Sequence, residues 1–200
     1  LTVWGIDSGI RHAVSGADYG SVRTGAFMGL EILRHLAGNP SGVDDLWGGY
    51  LANVTPHEWL GHEARIPARL QGADFLASHG GIVDTVTDVD PQRDYDVHPS
   101  TAHPILEHQR HRVFAELLAA EPTTRRNELL GELMLQSHTS YSLCGLGSGG
   151  TDELVAAVDT PRSRHAGLYG AKITGGGSGG TVAILGAPEA LSRVQEIAHD

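Results

Sequence analysis

Apolar positions along the chain follow two periods, and the changes between them outline the elements. Leu1 to Ile6 (LTVWGI) reads as a strand, followed by the loop DSGIRHAVSGAD. From Asp18, the residues Tyr19, Val22, Ala26, Leu30 and Leu33 fall at helical spacing. That helix is expected to stop at Gly38-Asn-Pro40, a glycine-then-proline terminator. Thr55-Pro-His-Glu58 reads as a capping box, with Thr55 as the cap and Pro56 at the first helical position. A short helix follows, then another from near Pro67 to Gly80-Gly81. The polar, acidic, proline-punctuated stretch VDTVTDVDPQRDYDVHP is the expected domain boundary. Beyond it the pattern predicts helices over roughly 104–120 and 124–141, the loop CGLGSGG, and a capped helix at TDELVAAV. Strand, glycine loop, strand and helix close the chain.

The glycine loop carries most of the functional information. In YGAKITGGGSGGTVAIL, Gly175, Gly177 and Gly180 satisfy G-x-G-x-x-G literally. A dinucleotide fingerprint needs a helix directly after the glycines, with the pyrophosphate at its N-terminus. Here Thr181 to Leu185 follows, a β-branched apolar run that reads as a strand. A P-loop fails as well, because Thr181 stands where G-K-[ST] requires lysine. Two readings stay open: a structural hairpin turn, or a nest of backbone N–H groups able to approach an anion. The run is longer than the 2–5 residues of a plain hairpin loop, which favours the second.

Composition narrows the classes. Two hundred residues suffice for one large domain or two small ones, and 40% apolar with 19% charged residues describes a globular chain. Glycine is the outlier at 27 residues, about twice the usual share of roughly 7%. A net charge of −10 with 14 scattered basic residues argues against nucleic acid, which needs clustered cations to displace counterions. One cysteine, Cys144, excludes an internal disulfide framework and fits a reducing, cytoplasmic setting. No apolar run approaches the ~20 residues of a membrane span. The chain opens without Met inside a strand-like run and stops in an amphipathic helix, so both ends are expected to continue into something longer.

Four segments together resemble a known family. GAKITGGGSGGTVAIL is similar to the third motif of the GHMP small-molecule kinases, the superfamily of galactokinase and homoserine kinase. DSGIRHAVSGADYGSVR is similar to the galactokinase stretch bearing a sugar-contacting tyrosine, and GELMLQSHTSYS with TDELVAAV resembles the elements before the third motif. The resemblance spans nearly the whole chain. WGIDSGIRH, GADYGSVR, SYSLCGLGSGGTDELV and LYGAKITGGGSGGTV bring it nearest to the L-arabinokinase subgroup.

The resemblance implies an α+β fold. Residues 1–100 would finish the GHMP N-terminal domain, and 101–200 would form most of a ferredoxin-like C-terminal domain. It implies phosphoryl transfer from ATP, with Mg²⁺, to the anomeric hydroxyl of a monosaccharide. L-arabinose leads and D-galactose follows; a catalytically silent sugar- and ATP-binding paralogue is the alternative. Such transfer depends on positioning and on neutralising spread-out charge. Tyr19 and Arg11 would face the sugar, Arg11 beside the family's catalytic aspartate. Thr174, Gly175, Gly176, Gly177, Ser178, Gly179 and Gly180 would support the phosphate loop. That aspartate, the GLSSSA-like phosphate loop and the main ATP and Mg²⁺ ligands match nothing in this sequence and belong to the missing N-terminal half. The isolated chain is therefore expected to be inactive, with no catalytic residue of its own.

Other constellations are weaker. His57 and His62 in HEWLGH are five apart, which puts them about 140° apart on a helix, where a zincin needs four. His98, His103, His108 and His111 read as a solvated helix N-terminus, of which only part could converge. In Asp84 to Asp96, Arg93 stands where a calcium loop starting at Asp88 needs glycine; the stretch reads as a solvated linker. Cys144 reads as a small buried residue.

Overall fold

The computed structural model describes residues 1–10, 16–39 and 46–199, with side chains from 19 onward after the first gap. The described residues form two compact units: Leu1–Val14 with Arg110–Asp200, and Ser15–Gln109. The elements in chain order are β1 (Thr2–Asp7), α1 (Gly16–Leu36), α2 (Pro56–His62), β2 (Leu70–Gln71), α3 (Gly72–His79), β3 (Asp94–Tyr95) and α4 (Val97–Ala119). They continue with α5 (Thr124–Leu143), α6 (Gly149–Val158), α7 (Pro161–His165), β4 (Leu168–Ile173), β5 (Thr181–Gly186) and α8 (Leu191–His199). The mixture of helices with a small antiparallel sheet is the α+β architecture expected. The division differs from a boundary near residue 100 because strand β1, at the start of the chain, is hydrogen-bonded to β5.

The central unit, residues 15–109, is built around α1. Met28, Leu30, Ile32 and Leu33 of α1 pack with Trp59, Phe75, Tyr95, Val97 and Ile105 in one core. Gly25 and Gly29, four residues apart on α1, meet Ser100 and Thr101 of α4, and a Cβ on Gly29 would collide with the Thr101 side chain. Helix α1 ends at Gly38, whose φ of 79° is the left-handed cap that glycine supplies most cheaply. The capping box before α2 forms as expected: Glu58 N donates to Thr55 Oγ1 at 3.2 Å, and Thr55 N donates to Glu58 Oε2 at 2.8 Å.

Two expectations change here. No helix starts at Pro67; the strand pair β2–β3 intervenes, and α3 starts at Gly72, packed so closely on the Asp90 carbonyl that a Cβ would collide with it. The acidic stretch is no solvated linker: Asp84, Asp90 and Tyr95 all bond within the unit. Helix α4 also starts at Val97, seven residues before Pro104, with His98 N donating to the Pro67 carbonyl at 3.1 Å.

The other unit is a three-stranded antiparallel sheet of order β1-β5-β4 with helices on both faces. Alternation sorts its side chains. Ile6, Leu168, Ala171, Val182 and Ile184 face Val155 and Val158 of α6 and Val194 and Ile197 of α8. Tyr169, Ala183 and Leu185 face Leu130 and Met134 of α5. A bulge between Leu168 and Gly170 shifts the β4 register. Among the described residues, no helix is long and apolar enough to cross a membrane.

Candidate functional site

The glycine loop joins β4 to β5, so its context is strand–loop–strand. Its base is closed by Thr174, whose N–H and hydroxyl both donate to the Thr181 carbonyl, at 2.9 and 2.8 Å. Left-handed φ values occur at Gly175, Gly177, Ser178, Gly179 and Gly180, which explains the glycines. Gly177 is constrained twice, because a Cβ there would also collide with the Leu146 carbonyl. Gly175 and Gly176 form an exposed tip, with open space where a Cβ would stand.

Helix α5 and the loop after it fasten this turn. His138 Nδ1 accepts from Ile173 N at 3.3 Å just before the loop, and the Tyr141 hydroxyl donates to the Gly175 carbonyl at 3.1 Å. Ser178 N donates to the Leu146 carbonyl at 2.6 Å. The far end is tied to the chain after β1: Ser8 N donates to Gly180 O at 2.9 Å and Gly180 N to Ile10 O at 3.2 Å. Arg11, next in the chain, lies outside the described residues, as does Pro40 of the expected terminator.

Because His138 Nδ1 already accepts a backbone N–H, its neutral ring carries the proton on Nε2. That atom stands 3.0 Å from Asp152 Oδ1, close but out of hydrogen-bond alignment. Asp152 in turn accepts from the Ser142 hydroxyl at 2.8 Å. Burial pushes the His138 pKa down, and the opposing pull of Asp152 only partly offsets it. The Lys172 ammonium lies 5.2 Å from the Tyr141 ring centre. Ser148 caps α6 and closes a capping box with Thr151.

Tyr19 lies in the central unit on the first turns of α1 and is half exposed. One turn on, Arg23 grips Asp84 at two points, Nε to Oδ2 at 2.7 Å and Nη2 to Oδ1 at 2.6 Å. The Arg23 bond holds the Asp84 carboxyl well below the usual carboxylate range.

Sequence reasoning singled out Tyr19 and Thr174–Gly180 but not Arg23, Asp84, His138, Tyr141 or Asp152. The arginine four residues after the tyrosine was the one available signal, since that spacing makes helix neighbours. The histidines expected at a solvated helix N-terminus are not simply solvated: His98 packs on the Trp59 ring, 5.2 Å between centres, and His108 Nδ1 meets the Ala52 carbonyl. Among the described residues no group of three His, Cys, Asp or Glu could hold a metal. Cys144 is buried, with Sγ 3.3 Å from the Tyr141 carbonyl.

No protein-family model matches the chain. It is 41% identical to L-arabinokinase of Arabidopsis thaliana over 92% of its length, and spans 20% of that relative. A crystal structure of Lactococcus lactis galactokinase complexed with galactose shares its fold at a TM-score of 0.63 and 16% identity. That match covers 98% of this chain and 40% of the galactokinase chain. In sequence the chain is similar to L-arabinokinase, and its fold is that of galactokinase, the GHMP kinase fold that the sequence resembles.

Proposed function

We propose that the chain is the later part of an ATP-dependent, cytoplasmic sugar kinase that phosphorylates the anomeric hydroxyl of a monosaccharide, L-arabinose before D-galactose. One observation carries the reading: the 41% identity with L-arabinokinase across 92% of the chain. ATP supplies the phosphoryl group when bound. The Gly175–Gly176 tip suits such a neighbour, because it is exposed and no side chain stands between its backbone and an approaching anion. In this reading Thr174 to Gly180 supports a phosphate loop elsewhere in the polypeptide, Tyr19 contacts the sugar, and Arg11 assists the catalytic aspartate. Among the described residues no group of three His, Cys, Asp or Glu could hold Mg²⁺; in this reading its main ligands, like those of ATP, belong to the rest of the polypeptide.

The test is ATP consumption by the full natural polypeptide against a panel of free sugars. Turnover with L-arabinose and little with D-galactose is expected, and none from the 200 residues alone. The reverse preference would move the reading to galactokinase. ATP binding without turnover of any sugar would make the protein a silent sugar- and ATP-binding paralogue.

A further inference from the structure

One short segment after α5 grips the tip of the glycine loop at both ends. The Tyr141 hydroxyl donates to the Gly175 carbonyl at 3.1 Å. The Tyr141 carbonyl accepts from Leu146 N at 2.8 Å, and the Leu146 carbonyl accepts from Ser178 N at 2.6 Å. Residues 175 to 178 are thus fastened by the Tyr141 side chain on one side and, through Leu146, by its main chain on the other. The ring is steadied in turn, because the Lys172 ammonium lies within cation–π range of its centre.

Between these anchors lies the Gly175–Gly176 peptide, which is trans. Its C=O and N–H share one plane and point in opposite directions. With Gly175 O turned to Tyr141, Gly176 N–H is turned the other way, and among the described residues nothing accepts from it. A peptide between two glycines flips easily, since neither residue has a Cβ to resist rotation. Beyond its chain neighbours, neither glycine has an atom within 4 Å of where that Cβ would stand. The Tyr141 bond is therefore what selects one orientation of this peptide over the other. A backbone N–H held outward in this way is a donor for an anion. We propose that Tyr141 is a positioning residue for the nucleotide phosphates: by holding Gly175 O it keeps Gly176 N–H directed at a phosphate oxygen of ATP. This rests on the reading that the full polypeptide binds ATP. Fixed donors of this kind suit phosphoryl transfer, in which charge is spread over the phosphoryl oxygens.

The experiment measures, by calorimetry, binding of a non-hydrolysable ATP analogue, L-arabinose and D-galactose to the full natural polypeptide. Tyr141→Phe, which keeps the ring and loses the hydroxyl, and Tyr141→Leu, which loses both, are compared with the unmodified protein. One lost hydrogen bond predicts analogue affinity about fivefold weaker in Tyr141→Phe. Sugar affinity should stay within about twofold, and the melting temperature within about 2 °C. Tyr141→Leu should weaken analogue binding at least as much; should it fail to fold, Tyr141→Phe alone decides. Full analogue affinity in Tyr141→Phe would overturn the proposal, since the hydroxyl would then hold nothing that ATP needs. Equal losses for analogue and sugar, or a loss that comes with a lower melting temperature, would also overturn it, by showing a general structural role. Weaker analogue binding in Tyr141→Phe, with no turnover of any sugar by the unmodified protein, would uphold the positioning role and refute the kinase reading. No analogue binding to the unmodified polypeptide would refute both.

Discussion

Gly131 of α5 and Gly170 of β4 face each other backbone to backbone. A Cβ on Gly131 would collide with the Tyr169 carbonyl, and one on Gly170 with the Gly131 carbonyl. This approach seats α5 on the strand that leads into the glycine loop, and so sets how far His138 and Tyr141 must reach. Gly131→Ala and Gly170→Ala should each destabilise the unit by at least about 3 kcal/mol, the upper end of overpacking costs, because backbone cannot rotate away. Urea unfolding of the two variants checks this; a loss under about 1 kcal/mol for both would show that the elements slide apart cheaply.

Within the glycine loop the residues are not equivalent. Gly177→Ala meets both a left-handed φ of 89° and the Leu146 carbonyl, so a loss of about 2–3 kcal/mol is expected. Gly176→Ala has neither obstacle and should change stability by less than about 0.5 kcal/mol. Gly176→Ala therefore separates folding from function. Under the kinase reading it raises the ATP KM of the full polypeptide at unchanged melting temperature. Equal stability losses in the two variants would contradict the geometry.

How much of this was legible follows from how local each determinant is. The α2 capping box and the strand–loop–strand context depend on residues a few positions apart, and the chain spells both out. Pairing of β1 with β5 joins Thr2 to Gly186, and alternation alone names no partner. Asp84 looked like one more solvated carboxylate because its burial depends on Arg23, 61 residues earlier. The start of α4 was misplaced for a related reason: Pro104 resembles a first helical residue, yet the tie from His98 N to Pro67 fixes an earlier start. His138 and Asp152 meet across a helix, a loop and a second helix, with no spacing rule to connect them.

The capping box before α2 should be worth about 1 kcal/mol. Thr55 supplies its side-chain oxygen to Glu58 N, and its own N–H and hydroxyl hold the Glu58 carboxylate, whose pKa is lowered chiefly by the backbone bond. Thr55→Ala should lose about that amount in urea unfolding, whereas Thr55→Ser should lose less than half of it. Equal losses would assign the effect to the threonine methyl rather than to the cap.

Histidine burial sets the pH response between neutrality and mild acid. Burial lowers the folded pKa of His138 and of His79, the latter stacked on Phe75 at 4.9 Å and edge-on to His35 at 4.7 Å. A histidine whose folded pKa is depressed favours the native state fully above the unfolded value near 6.5. Below it the unfolded chain takes up the proton first, so that contribution declines until the folded pKa is passed. Asp84 acts in a separate window, since its depressed pKa preserves stability down to about 3.8 and loses it only in stronger acid. The urea midpoint should therefore fall from pH 7.5 to 5.5 on account of histidines. His138→Gln keeps an acceptor for Ile173 N but cannot titrate, so its midpoint should fall less steeply over the same range. An identical slope in the variant would mean that His138 titrates alike in the folded and unfolded chains, and that its neutral Nε2–H form does not hold the base of the glycine loop.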